Sequence, residues 1–175
     1  MKKIKLVLFL FLLIQSKCLY SSIYEYYPNP LGPSSSNYGI TGVLQNPNAR
    51  FMEEGSMKIG VSNSFPNKYT YITATPFNWL EASYKYTEMK NLLYGPKTFS
   101  GNQTLKDKGF DLKIRLFNES YLFPEVSIGW NDLAGTGLLS SEYIVATKNI
   151  KNFDFTLGLG WGALGQDKNL RNPFI

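Results

Sequence analysis

The sequence predicts an all-β fold, an antiparallel up-and-down meander behind an exported leader. Three observations predict it. Apolar and polar residues alternate with period two through seven segments after Gly55. No amphipathic stretch of helical period competes with them outside the leader. Aromatic residues make up 15% of the 175-residue chain, beside 15 Gly and 9 Pro, and that usage favours strands and turns.

The leader occupies residues 1–21. Lys2, Lys3 and Lys5 form a positive start, residues 6–14 are an unbroken apolar run, and Gln15, Ser16 and Lys17 end it. This is the order of a secretory signal peptide. The run is too short for a permanent membrane helix, which needs about 20 residues. Cleavage is expected after Cys18, or after Ser21 or Ser22. Cys18 also stands where a lipoprotein carries its lipid, although Lys17 occupies a position that normally takes a small residue.

Residues 22–55 read as irregular. Pro28, Pro30, Pro33, the Ser34-Ser35-Ser36 run, Gly39 and Gly42 leave little room for a sheet. Residues 56–175 read as the meander. Met57, Ile59 and Val61 alternate with Lys58, Gly60 and Ser62. Phe65-Pro66-Asn67 turns the chain into a second strand through Tyr69, Tyr71 and Thr73. Pro76-Phe77-Asn78 turns it again. Leu80, Ala82, Tyr84 and Tyr86 then alternate with Glu81, Ser83, Lys85 and Thr87. A long loop is expected over residues 90–108. The clearest strand follows, with Phe110, Leu112, Ile114 and Leu116 against Asp111, Lys113 and Arg115. Residues 125–130 and 142–148 give two more strands, separated by a glycine-containing turn over residues 131–137. The seventh sets Phe153, Phe155, Leu157, Leu159 and Trp161 against Asp154, Thr156, Gly158, Gly160 and Gly162. That glycine row predicts tight curvature or a bulge, or else room for bulky groups from inside a barrel.

Alternation alone leaves two surroundings open. In a soluble sandwich the apolar rows face inward; in an outer-membrane barrel they face lipid. Export, the short-turn meander with one longer loop, and aromatics near strand ends favour the barrel. Those aromatics are Tyr69, Trp79, Tyr86, Phe110, Trp130, Tyr143, Phe153 and Trp161. Bacterial single-chain barrels are even-stranded. Seven strands therefore predict either an incomplete barrel, the amino-terminal part of a longer one, or an eighth strand between Tyr38 and Leu44.

Charge and composition exclude several functions. Lys plus Arg is 18 and Asp plus Glu is 13. Without Lys2, Lys3, Lys5 and Lys17 the balance is 14 against 13, so no cationic field is expected to attract nucleic acid. The chain has no His and one Cys, which removes His-dependent triads, His-ligated metals and intrachain disulfides. No spacing of Asp107, Asp111, Asp132 and Asp154 defines a glycosidase pair. The chain is expected to be no enzyme and to carry no cofactor or metal. Asp111 and Asp154 read more simply as members of a salt-bridged lumen.

Several ordered segments resemble the YjbH family, exported proteins associated with exopolysaccharide or capsule production in Gram-negative bacteria. They begin with Asn37-Tyr38-Gly39-Ile40-Thr41-Gly42-Val43-Leu44-Gln45-Asn46-Pro47-Asn48-Ala49-Arg50. They continue through Phe77-Asn78-Trp79-Leu80-Glu81-Ala82 and Lys106-Asp107-Lys108-Gly109-Phe110-Asp111-Leu112-Lys113, then Leu116, Glu119 and Ser120. Trp130-Asn131-Asp132-Leu133-Ala134-Gly135-Thr136-Gly137-Leu138, Ser141-Glu142-Tyr143 and the segment from Phe153 to Gly162 complete them. The resemblance covers most of the chain behind the leader and singles out Gly39, Thr41, Gly42, Pro47, Arg50, Gly135, Thr136 and Gly137 as turn motifs. The glycines there are expected to take positive φ.

The resemblance implies a non-enzymatic outer-membrane barrel protein serving the export or assembly of an extracellular polysaccharide. A structural barrel or adhesin, and a soluble periplasmic carbohydrate-binding domain, are the alternatives. Implied partners are outer-membrane lipid and the polysaccharide or its export machinery. Rings can cover the apolar faces of sugars while charged groups satisfy hydroxyls. Tyr84, Tyr86, Asp111, Lys113, Arg115 and Asp154 are the candidate sugar or lumen contacts.

Overall fold

The computed structural model describes residues 33–151, 153–165 and 171–173. The leader and Cys18 lie outside the described residues. Two short strands come first, β1 (Gly42–Val43) and β2 (Asn46–Pro47), paired as a small hairpin. Seven long strands follow: β3 (Ser56–Ser64), β4 (Asn67–Phe77), β5 (Leu80–Leu93), β6 (Thr104–Phe117), β7 (Glu125–Asn131), β8 (Ser141–Ile150) and β9 (Phe153–Gly160). They form one antiparallel sheet in sequence order, β3 to β9, curled into a half-barrel. A four-residue helical turn, Lys97–Ser100, sits between β5 and β6, and a 3₁₀ turn, Gly162–Leu164, follows β9. Among the described residues no helix is long and apolar enough to cross a membrane, a fact silent on strands.

The period-two reading therefore places all seven strands. It misses some ends. The loop expected over residues 90–108 shrinks to residues 94–103, because Met89 pairs with Leu105, Glu88 with Lys106 and Thr87 with Asp107. The polar residues at the start of β6 keep the alternation in phase, with Asp107 buried and Lys106 and Lys108 exposed. The possible strand between Tyr38 and Leu44 is only β1, which joins β2 and not the large sheet. The pairing of β8 with β9 is regular from Ile150–Phe153 to Tyr143–Gly160, so the glycine row makes no bulge.

The two faces of the sheet have opposite chemistry. One face is covered by residues 34–51, and most of its buried residues are polar: Thr73, Thr75, Glu81, Ser83, Lys85, Thr87, Asp107, Asp111, Lys113, Ser127 and Thr147, with Tyr69, Met89, Tyr143 and Val145 buried among them. The other face is open and apolar. Met57, Ile59, Val61, Ile72, Phe110, Leu157 and Leu159 are exposed there, Leu157 by 81% and Ile59 by 71%. A water-soluble domain buries such residues, since each large aliphatic side chain gains about 1.5–3 kcal/mol from burial.

The register also sorts charge along the open face. Lys68 lies opposite Glu88, and Glu88 opposite Lys106, in a row across β4, β5 and β6 at one end of the sheet. On the same row of each strand, Ile72 and Ala74, Leu80 to Tyr86, and Phe110 to Leu116 supply the apolar band. Of the expected end aromatics, Tyr69 and Tyr143 turn inward and are buried, whereas Trp79, Phe110 and Phe153 are exposed. Tyr143 finds its space over Gly129 directly opposite: a Cβ on Gly129 would lie 2.2 Å from the tyrosine ring. Tyr71 lies over Gly60 in the same way.

Candidate functional site

The site is the polar face and the segment laid across it. Alternation puts Glu81, Ser83, Lys85 and Thr87 on one row of β5 and Asp111, Lys113 and Arg115 on one row of β6. Lys85 Nζ pairs with Asp111 Oδ1 at 2.7 Å, and Lys113 Nζ lies 3.2 Å from Glu81 Oε2. Both pairs are withdrawn from solvent. Isolated buried charges cost several kcal/mol each, so each must be paired and further hydrogen-bonded.

The covering segment supplies those further bonds. Glu81 Oε1 accepts from the Thr41 backbone N–H at 2.6 Å and from its hydroxyl at 3.0 Å. Lys58 Nζ lies 3.7 Å from the same carboxylate oxygen. Lys113 Nζ donates to the carbonyls of Arg50 at 2.6 Å and Thr41 at 3.2 Å. Thr73 donates to the Gly39 carbonyl, Thr147 accepts from the Ala49 N–H, and Ser127 donates to the Ala49 carbonyl. Thus the segment, folded on itself by its own turns and the β1–β2 hairpin, has its remaining backbone groups at Gly39, Thr41, Ala49 and Arg50 satisfied by wall side chains.

Arg50 closes one end. Its guanidinium binds Asp154 through two nitrogens at 2.8 and 2.9 Å, Glu125 at 2.8 Å and Glu119 at 2.6 Å. The forked hydrogen bonds to Asp154, with those to Glu119 and Glu125, raise its pKa well above the ordinary arginine value. Arg115 lies 2.7 Å from Glu125, and Lys148 2.8 Å from Glu119. Glu119 is held down to about 2 by Lys148 first, then by the Asn149 N–H and by Arg50. Phe51 lies beneath two cations, 4.5 Å from Lys113 and 4.4 Å from Arg115. At the other end of the segment Tyr38 meets Tyr69 edge-on at 5.1 Å. Burial, then the neighbouring Tyr69, pushes the Tyr38 hydroxyl up to about 12.

The structure gathers four of the six sequence candidates. Asp111, Lys113, Arg115 and Asp154 share the polar face. Tyr84 and Tyr86 lie on the opposite row with Leu80 and Ala82, so they do not join the lumen charges. The turn motifs also do more than turn. Gly39 and Gly137 take positive φ, at 102° and 74°, as expected. Gly42 and Gly135 do not; a Cβ there would collide with the Asn46 carbonyl and with the Asp132 carboxylate. Thr41 binds Glu81, and Pro47 pairs with Gly42 in the hairpin. Arg50 is the centre of the ion network. Thr136 donates to Asp107 at 2.7 Å, and the Asp132 N–H donates to Asp111. These bonds fold the β7–β8 loop back over β6. Glu81, Lys85, Glu119 and Glu125 are not among the contacts read from the sequence, although Glu81 and Lys85 stand in the same alternating row as Ser83, and Glu81 and Glu119 are among the residues that carry the family resemblance.

A cavity of about 420 Å³ opens beside β9, lined among others by Asn46, Asn48, Tyr143, Thr156, Gly158 and Leu164. Gly158 and Gly160 leave its wall without side chains, and a Cβ on Gly158 would meet Val145 at 2.6 Å. Among the described residues no group of three or more His, Cys, Asp or Glu side chains is placed to hold a metal ion. The chemistry on offer is hydrogen bonding and charge: paired acids and bases, hydroxyls and amides along a curved wall.

Comparison with known proteins adds two findings. A family model described as exopolysaccharide biosynthesis protein matches residues 34–175. The chain is also similar to an uncharacterized lipoprotein, YjbH, of Escherichia coli strain K12, with 47% identity over 150 residues, 85% of this chain. That match spans 22% of the relative, so the chain covers about a fifth of its length. No solved structure matches the chain significantly.

Proposed function

Since the chain belongs to the YjbH family of exopolysaccharide biosynthesis proteins, we propose that it is a non-enzymatic outer-membrane component of exopolysaccharide or capsule biosynthesis and export. One observation carries this reading: the sheet is apolar on its open face and polar on its inner face. That is the arrangement of a transmembrane β-barrel wall, with lipid outside and a hydrophilic lumen within. The charged row of Lys68, Glu88 and Lys106 marks where the apolar band meets water and headgroups. The strands close a barrel by pairing with further strands at β3 and β9, the two edges of the sheet. The wall works by lining a path or holding an assembly with charged and hydroxyl groups, and no bond is made or broken by the protein.

The lipoprotein relative supports a second attachment. Cys18, directly behind the apolar run, is the acylation site in this reading, and its thioether-linked lipid holds the chain at a Gram-negative membrane. Partners are outer-membrane lipid and the polysaccharide or its export machinery.

Fractionation of Gram-negative cells tests the location. The expected result is an outer-membrane protein that migrates differently with and without heating in detergent. Recovery in the soluble periplasm would overturn it and favour a carbohydrate-binding domain. Polysaccharide secretion in a deletion strain tests the role. Secretion should fall; normal secretion with an intact outer-membrane protein would favour a structural barrel or adhesin.

A further inference from the structure

We infer that residues 34–51 are a displaceable plug, held on the polar wall by an ionic latch centred on Arg50. The attachment between segment and wall is largely hydrophilic. It runs through Glu81, Lys113, Thr73, Ser127 and Thr147 to backbone groups, and through Arg50 to three carboxylates. The apolar anchors are few and separate: Ala49 with Tyr143, Val145 and the edge of Leu164, buried Ile40, Phe51 between two cations, and Tyr38 against Tyr69. A contact that never opens gains nothing from this design, because apolar replacement of buried ion pairs is commonly neutral or stabilising. A contact that opens gains a great deal. The wall charges and the backbone groups they hold can be hydrated on release, and only a few apolar side chains are uncovered.

The latch is built for release from one end. Glu119 comes from the β6–β7 loop, Glu125 from β7 and Asp154 from β9, and Arg50 is the cation common to all three. Without it, Glu119 keeps Lys148 and Glu125 keeps Arg115, whereas among the described residues Asp154 keeps only the Asn149 amide. The cost of opening falls on one half-exposed carboxylate, where dissolved cations can take the place of Arg50. Exposed Glu53, Glu54 and Gly55 join the segment to β3, so it can swing without disturbing the sheet register. The consequence for polymer passage rests on the barrel reading; the opening itself does not.

The test uses the full chain in detergent micelles with Cys18→Ser and a single probe, Ser127→Cys, beneath Ala49. Labelling by a polyethylene-glycol maleimide is followed in time, with circular dichroism and heat-modifiable migration reporting the sheet. Labelling is expected to be slow at low salt and to rise at least about tenfold in ~1 M salt, where charges are screened beyond about 3 Å. Arg50→Gln should raise it similarly at low salt, and Arg50→Lys should restore part of the protection. The sheet signals should stay unchanged. If Ser127→Cys reacts only as the sheet unfolds, with no response to salt or to Arg50→Gln, the segment is a fixed core and the inference fails. Should Arg50→Gln not fold, the salt response of the protein with Arg50 intact decides. Fractionation reports on the membrane reading separately, so the two can fail independently.

Discussion

The two faces of β5 and β6 are made by alternate residues of the same two strands, yet they obey different rules. On the inner face Glu81, Lys85, Asp111 and Lys113 are buried and paired. On the outer face Phe110 is exposed and Leu80, Ala82 and Leu112 are half-buried. Burial and polarity thus run together, opposite to their relation in a water-soluble core. The difference teaches that the inner face is stabilised by matched charges and hydrogen bonds, and the outer face by its surroundings. Substitutions on the two faces should therefore respond to different measurements.

The largest effect is expected on the inner face. Lys113→Met takes the nearest cation from Glu81 and the donor from two carbonyls of the plug. Breaking a buried pair of this kind costs about 3–5 kcal/mol, measurable as a lower urea midpoint in detergent. Adding Glu81→Leu should recover much of the loss. A cost below about 1 kcal/mol would mean that the inner wall is already wet, and the contrast between the faces would lose its energetic basis.

Next comes Ile72→Arg, in the middle of the outer face between Ile59 and Tyr84. In a bilayer it should cost about 2–4 kcal/mol, read as a shift in refolding into phospholipid vesicles. In a water-facing sheet an exposed substitution stays within about 0.5 kcal/mol. A small effect in vesicles would break the membrane side of the comparison.

A smaller effect is expected where shape, and not charge, governs the inner face. Gly129→Val drives a side chain into the ring of Tyr143. Overpacking of this kind costs about 1–3 kcal/mol, and thermal unfolding would register it. An unchanged midpoint would show that the ring moves freely.

The smallest effect concerns pH at the latch. Glu119 is held down to about 2, below its ordinary value near 4.5. Its contribution is present above the unfolded value and is lost as pH falls through the folded one. Plug protection should therefore hold at neutral pH and weaken from about pH 4.5 toward pH 2. Glu119→Gln should flatten that part of the profile in the Ser127→Cys labelling assay. An identical profile in both proteins would remove Glu119 from the latch.

Much of this architecture is legible in the residues. Phe110 to Leu116 can only alternate as they do on a strand, because side chains switch face at every residue. The same logic marks Asp111, Lys113 and Arg115 as one row, but only the pairing of Ser83 with Asp111 and of Tyr84 with Phe110 separates Tyr84 and Tyr86 from it. The two tyrosines were grouped with the charges for their chemistry, and the alternation of β5 against β6 overrules that grouping. Arg50 was legible only as part of a motif. Its partners stand 69, 75 and 104 positions away, at Glu119, Glu125 and Asp154, and no local pattern connects them.

The sequence by itself determined the seven strands, their order and the sorting of polar from apolar rows, since period, turns and short connections are local properties of the chain. Only the tertiary structure decided which row faces inward, because either face of an alternating strand can meet a core until the sheet curls. It also decided that the irregular segment of residues 34–51 lies within that curl. Such a segment has backbone donors and acceptors left over, and the charged and hydroxyl side chains of the wall are what satisfy them.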